Sequence, residues 1–170
     1  MTNNFKNLDV LSIKDNVFKL IGNDWMLITA GNLQSYNTMT ASWGCMGILW
    51  NKPIAVCFIR PQRYTLNFVE KNEYLTLSFF SQKYRKALEF CGSRSGRNWN
   101  KAKETGLTPM LTDLGNVTFS QARLVLECHK LYNDTIREEN FVLKELVSKN
   151  YPGKDFHRFF LGEVVRVYTK

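Results

Sequence analysis

At 170 residues, with 44% hydrophobic and 22% charged side chains, the chain is long and apolar enough to bury a core without staples, which sets aside the disordered and disulfide-framework classes. Its formal net charge is +8, and residues 60–104 hold ten Lys/Arg against four Asp/Glu, so this segment draws anions such as phosphate cofactors, acidic proteins or nucleic acid. No run approaches the length of a membrane span, and residues 1–9 carry no apolar signal core, which predicts a cytoplasmic protein with reduced thiols and no membrane partner.

Residues 1–16 read as an N-terminal arm of a single domain spanning 1–170. Residues 17–30 place VFKLIG and WMLITA around Gly22-Asn23-Asp24, which predicts a hairpin. A loop over 31–36 leads to a short polar strand or strand edge over 37–43. The apolar runs 45–50 and 54–59 are strands joined by the breakers Asn51-Lys52-Pro53. Pro61 suits a first helical turn, and Tyr64, Phe68 and Val69 recur at helical spacing, so a helix is expected over 61–71. Then come a strand over 74–80, a short helix over 82–90, a Gly/Ser/Arg loop over 91–98, about one helical turn over 99–104 and a loop over 105–112. Residues 121–132 alternate as a long strand, with Leu124, Leu126 and Cys128 on one face and Val125, Glu127 and His129 on the other. A short helix over 138–147 and a closing strand over 156–168 follow, with a bulge expected at Gly162. Many short strands and few helices predict a mainly β fold with short helices, a small closed or split barrel.

The stretch 37–65 joins small hydroxyl and amide side chains to a cluster suited to phosphate. Small residues at Thr40, Ala41 and Ser42 let main-chain amides approach a flat ring, and Trp43 either walls that ring or fills the core. Arg60 offers a fork-shaped cation at a strand-to-helix junction, and Tyr64 and Thr65 add hydroxyl donors. From residue types alone, a ligand cradle and plain core with turn are equally good readings. No GxGxxG or Walker-type loop occurs, which sets aside the common nucleotide folds. Cys45, Cys57, Cys91 and Cys128 form no CxxC pair, and with only His129 and His157 beside them a metal site from neighbouring ligands has no support. Three of the four lie in or beside apolar runs and read as buried hydrophobes. His129 reads as a structural imidazole, and a structural reading stands beside a functional one for His157, which Asp155 and Glu163 flank in sequence.

Four segments in order, NTMTASW (37–43), FIRPQRYT (58–65), CGSRSGR leading to Lys101, and HRFFLGEV (157–164), are similar to the flavin reductase-like, FMN-binding family that includes flavoredoxin. The resemblance covers roughly residues 17–168. It implies a split β-barrel with a Greek-key sheet, working as a homodimer with FMN near the subunit interface. By the same resemblance Asn37, Thr40, Ser42 and Trp43 line the isoalloxazine and ribityl chain. Arg60, Tyr64 and Thr65 take the phosphate, with Arg63 assisting. Ser95, Arg97 and Lys101 approach the cofactor or the incoming nicotinamide nucleotide, and His157 faces the flavin as the catalytic candidate. The pair Trp99-Asn100 and the bulky Arg158 depart from the family pattern.

The function this implies is an oxidoreductase that passes electrons from NADH or NADPH through FMN to an acceptor such as ferric iron, another flavin or a partner protein. The rival reading from another class is a non-catalytic module, either a flavin carrier or a basic nucleic-acid binder in which Arg94 and Arg97 beside Trp99 stack on bases.

Overall fold

The computed structural model describes residues 5–170. Ten strands dominate: β1 Lys6–Leu8, β2 Met26–Asn32, β3 Ser35–Ala41, β4 Gly44–Leu49, β5 Lys52–Ile59, β6 Tyr74–Phe79, β7 Pro109–Leu111, β8 Val117–Phe119, β9 Leu124–Thr135 and β10 Arg158–Thr169. The helices are short: α1 Val17–Lys19, α2 Thr65–Lys71, α3 Arg85–Ser93, α4 Lys101–Thr105 and α5 Glu145–Asn150. The main sheet runs β3-β2-β6-β9-β10-β5-β4, with β1 added to β10, and every pairing is antiparallel.

This order explains the barrel. β3 and β4 lie at opposite edges of the sheet, yet only Ser42 and Trp43 separate them in the chain. Two intervening residues span at most about 10 Å, so the sheet must curl until its edges meet. The edges do not pair with each other, and that unzipped seam is the split in the barrel.

Two apolar layers hold the curl. The inner layer takes alternate residues, among them Met26 and Ile28 from β2, Leu75 and Leu77 from β6, Leu124 and Leu126 from β9, and Phe160 from β10. The outer layer packs Leu88 and Cys91 of α3, Ala102 of α4 and Phe119 of β8 against Leu27 and Val125. The first half of β9, residues 124–128, is therefore buried on both faces, including the one that carries Glu127. Its buried Glu127 accepts hydrogen bonds from Thr112, Asn116 and Tyr168, which compensates the burial of a carboxylate. The predicted irregularity at Gly162 is present, because the β9–β10 register shifts between Leu161 and Gly162. A Cβ there would stand 2.9 Å from Cβ of Cys128, so glycine lets the strands close.

Several expected elements differ. Residues 17–24 are not half of a hairpin. The Asn16 side chain accepts from Lys19 N–H and starts a helical turn that widens to a π-turn over Leu20–Asp24, burying Leu20 and Ile21. The hairpin lies further on, where β2 meets β3 across Leu33-Gln34, with Asn32 Oδ1 accepting from Gln34 N–H at 3.1 Å and Ser35 N–H at 2.9 Å. The helix expected from residue 61 begins at Thr65, because Pro61-Gln62 instead occupies a turn closed by Arg63 N–H to Arg60 O, 3.0 Å. α3 runs through Ser93, so the 91–98 loop is shorter than expected. Within 105–112, β7 pairs with the unforeseen β8. The helix expected over 138–147 divides into a 3₁₀ turn at Glu138–Asn140 and α5. In the N-terminal arm, β1 pairs with the end of β10, and residues 1–4 lie outside the described residues. No helix among the described residues is long and apolar enough to cross a membrane.

Candidate functional site

The seam between β3 and β4 opens into a cleft with two adjoining lobes that share Met39, Arg60 and Arg63. The first lobe, about 180 Å³, lies where β3 meets the start of α2 and the loop after α3. Asn37 donates to Thr65 Oγ1 at 2.8 Å, tying the strand to the helix, and both side chains are buried. The loop comes so close that a Cβ on Gly96 would collide with Asn37 Oδ1. Only a glycine backbone fits there. Ser95 O accepts from Asn98 and Trp99 N–H, which folds the loop back on itself.

Four cations, Arg60, Arg63, Arg94 and Lys101, line this lobe, and no carboxylate lines it. Lys101 is buried, donating through Nζ to Thr38 O and Cys91 O at 2.7 Å each. Burial draws its pKa down to about 8; nearby Arg63 works in the same direction and Cys91 against it. Arg63 donates to Gly92 O, and burial together with Arg60 lowers its pKa as well. These carbonyls fix the cations but leave them uncompensated by any anion. Arg60 differs: its guanidinium pairs with Asp155, donates to Asn150 O at 2.9 Å and lies 5.3 Å from the Tyr151 ring.

The second lobe, about 190 Å³, is lined by residues 39–43, Phe58 and His157. Thr40 Oγ1 is committed to Leu88 O, so it holds β3 against α3. The Trp43 ring lies 5.1 Å from the His157 ring, and Phe58 meets the same imidazole edge-on at 6.4 Å. His157 Nδ1 is 3.0 Å from the Tyr151 hydroxyl. Burial, reinforced by Arg60, lowers the His157 pKa to about 4, which keeps the ring neutral at physiological pH.

Of the residues singled out from sequence, Asn37, Arg60, Arg63, Tyr64, Thr65, Ser95 and Lys101 line the first lobe. Thr40, Ala41, Ser42, Trp43 and His157 line the second. Arg97 lines neither. Its guanidinium lies 4.7 Å from the Tyr64 ring centre and donates to Gln62 O, and the residue lines a neighbouring hollow with Asn37, Tyr64 and Lys101. Asp155 and Glu163 do not approach His157 as a pair: the first holds Arg60 and Gln62, the second Lys52. His129 stacks on Tyr74 at 4.8 Å, and Cys57, Cys91 and Cys128 are buried while Cys45 is exposed. The family departures leave the cleft intact. Asn100 caps α4 by accepting from Lys103 N–H, and Arg158 turns to Glu70 and Asn133.

Sequence reasoning missed Met39 and Phe58 and took Arg94 only as a base-stacking candidate, although each sits inside one of the four motifs, so their neighbours were the available signal. Tyr151 had none, since it lies in the unpatterned segment after β9.

A cation-lined lobe joined to an aromatic-walled one suits a flat ring system carrying a phosphate tail. The family model for the flavin reductase like domain matches residues 18–170. The chain belongs to the flavin reductase-like domain family. Solved structures of similar fold include the FMN-binding protein of Thermus thermophilus, at 20% identity over 96% of this chain and 80% of that one, TM-score 0.69. An FMN-binding domain of flavin reductase-like enzymes from Shewanella baltica matches at 17% identity over 99% and 78%, TM-score 0.69. Flavoredoxin from Methanosarcina acetivorans matches at 20% identity over 96% and 76%, TM-score 0.67. No curated protein sequence matches the chain. The fold is the split β-barrel of this family, and the family's flavin chemistry makes the two-lobed cleft the site to test.

Proposed function

We propose that this chain binds FMN in the two-lobed cleft and works as an oxidoreductase, taking electrons from NADH or NADPH and passing them to an acceptor. The observation that carries the reading is the first lobe, where Arg63, Lys101 and Arg94 meet hydroxyl and amide donors with no carboxylate among them. Such a lobe fits a phosphate dianion. Arg63, Thr65, Ser95 and Lys101 would hold the phosphate, and Asn37 and residues 40–43 would face the ring and its chain. Bound flavin supplies the two-electron chemistry, so no acid–base dyad is required of the protein. The protein's task is to orient the ring, shield it with Trp43 and Phe58, and present His157 as a neutral group that neither adds nor withdraws charge. The relatives from Thermus and Shewanella are FMN-binding proteins, which supports the reading. In the same reading the chain is a cytoplasmic homodimer, and ferric iron, a second flavin or a protein receives the electrons.

Purified protein is expected to be yellow, or to quench FMN fluorescence at micromolar concentrations, and anaerobic NADH or NADPH should bleach the flavin bands. Failure to bind FMN sinks the proposal. Binding without bleaching reduces it to a flavin carrier.

A further inference from the structure

A second, larger hollow lies on the other side of Trp43. It measures about 810 Å³, within the range of small-ligand sites, and is walled by Trp43, Ile136, Phe141, Leu143, Leu146 and Tyr151. The segment between β9 and β10 builds most of it. One of its walls is shared with the proposed cofactor cleft, and a second contacts a residue that lines it. Trp43 lines both hollows, and Tyr151, on the floor of this one, holds His157 of the other. An occupant would thus rest against a residue that bounds the proposed ring lobe.

Charge narrows the occupant further. The only charged side chains in the lining are Asp134 and Arg137, which pair with each other at 3.3 Å. The hollow is therefore close to neutral, in contrast with the cation-rich first lobe. A dinucleotide needs cations for its pyrophosphate, and none here is free of a carboxylate. The side-chain amide of Asn140 has no hydrogen-bond partner among the described residues and offers a donor for a carbonyl.

We propose that this hollow binds an uncharged planar carbonyl compound of the quinone or aryl-ketone class, held against Trp43 and Phe141. The proposal deepens the flavin reading, because such a compound held beside Trp43 would stand where an electron acceptor is needed. It rests on that reading for its role, but not for its binding.

The test titrates 1,4-naphthoquinone into the full chain, with and without FMN, and follows tryptophan fluorescence. Saturable quenching is expected in both cases. Leu143→Arg and Leu146→Arg should each weaken it about tenfold. Both residues are partly exposed, at 58% and 38%, so the fold should tolerate the changes. Leu114→Arg, on the distant β7–β8 turn, should leave binding unchanged. Several results would overturn the site: no saturation, equal binding in both groove variants, or displacement of the probe by equimolar FMN. Sedimentation showing that the groove variants dissociate an oligomer would also overturn it, since a second copy would then fill the hollow. FMN titrated into the same samples separates the two ideas. Probe binding without FMN binding refutes the proposed function and spares the hollow, whereas FMN binding without probe binding does the reverse.

Discussion

The Tyr151 hydroxyl stands 3.0 Å from Nδ1 of His157, and burial raises the tyrosine pKa while it lowers that of the histidine. A protonated phenol facing a neutral imidazole donates to it, which leaves the imidazole proton on Nε2. Nitrogen NMR should therefore show His157 as the Nε2–H tautomer, with Nδ1 unprotonated. The chain has only two histidines, so assignment needs a single His129 variant. A protonated Nδ1 would contradict the arrangement, and Tyr151→Phe should yield a mixture of tautomers.

The same depression makes stability depend on pH. The folded-state pKa of His157, about 4, lies below the free value of 6.5, so the unfolded chain takes up the proton first. The histidine's contribution is complete above pH 6.5 and is lost as pH falls toward 4. Between pH 7 and pH 5, wild-type protein should lose about 2 kcal/mol more unfolding free energy than His157→Gln. Denaturant titrations at the two pH values measure the difference; equal losses would mean that the ring already charges in the folded state.

Lys101 sets a second pH dependence, on binding. Its pKa of about 8 means that the first lobe loses a positive charge as pH rises from 7 to 9. FMN affinity should fall over that interval, and Lys101→Met should bind about tenfold more weakly with no such fall. The variant also leaves Thr38 O and Cys91 O without their donor, at a cost of about 1–3 kcal/mol. Isothermal titration at each pH reads the first effect and thermal unfolding the second.

Gly96→Ala should separate binding from folding. The added methyl displaces Asn37 and breaks its bond to Thr65, worth about 1 kcal/mol. FMN affinity should drop about tenfold or more, with a shift of only a few degrees in the melting midpoint. A variant that binds FMN as the wild type does would show that this clamp does not shape the cleft.

Arg60 is the one cleft cation already held by a carboxylate. Asp155→Asn should release it toward a phosphate and tighten FMN binding a few-fold, most clearly at low salt, while Arg60→Ala should weaken binding. Asp155→Asn without any gain would mean that Arg60 serves the 150–155 segment alone.

Much of the cleft was legible because its residues cluster in the chain. Asn37 to Trp43 occupy one strand and its exit, and Arg60 to Thr65 one turn, so local residue types already suggested a cradle. Arg97 lies outside both lobes for a related reason. Residues two apart in a tight turn point in different directions, and sequence proximity to Ser95 carries no information about which way each faces. The 17–24 hairpin failed because the turn residues Gly22-Asn23-Asp24 also suit a π-turn, and the Asn16 cap upstream decided between them.

By itself the sequence determined the strand-rich character, the alternation of faces along β9, the bulge at Gly162 and the concentration of cations after residue 60. These follow from periodicity and residue type, which are local. Only the tertiary structure decided that the two edges of the sheet meet at Ser42-Trp43, that Tyr151 lies against His157, and that Asp155 claims Arg60. Those contacts join positions up to 95 residues apart or depend on the path of an unpatterned segment, and they exist only once the sheet has curled to bury its core.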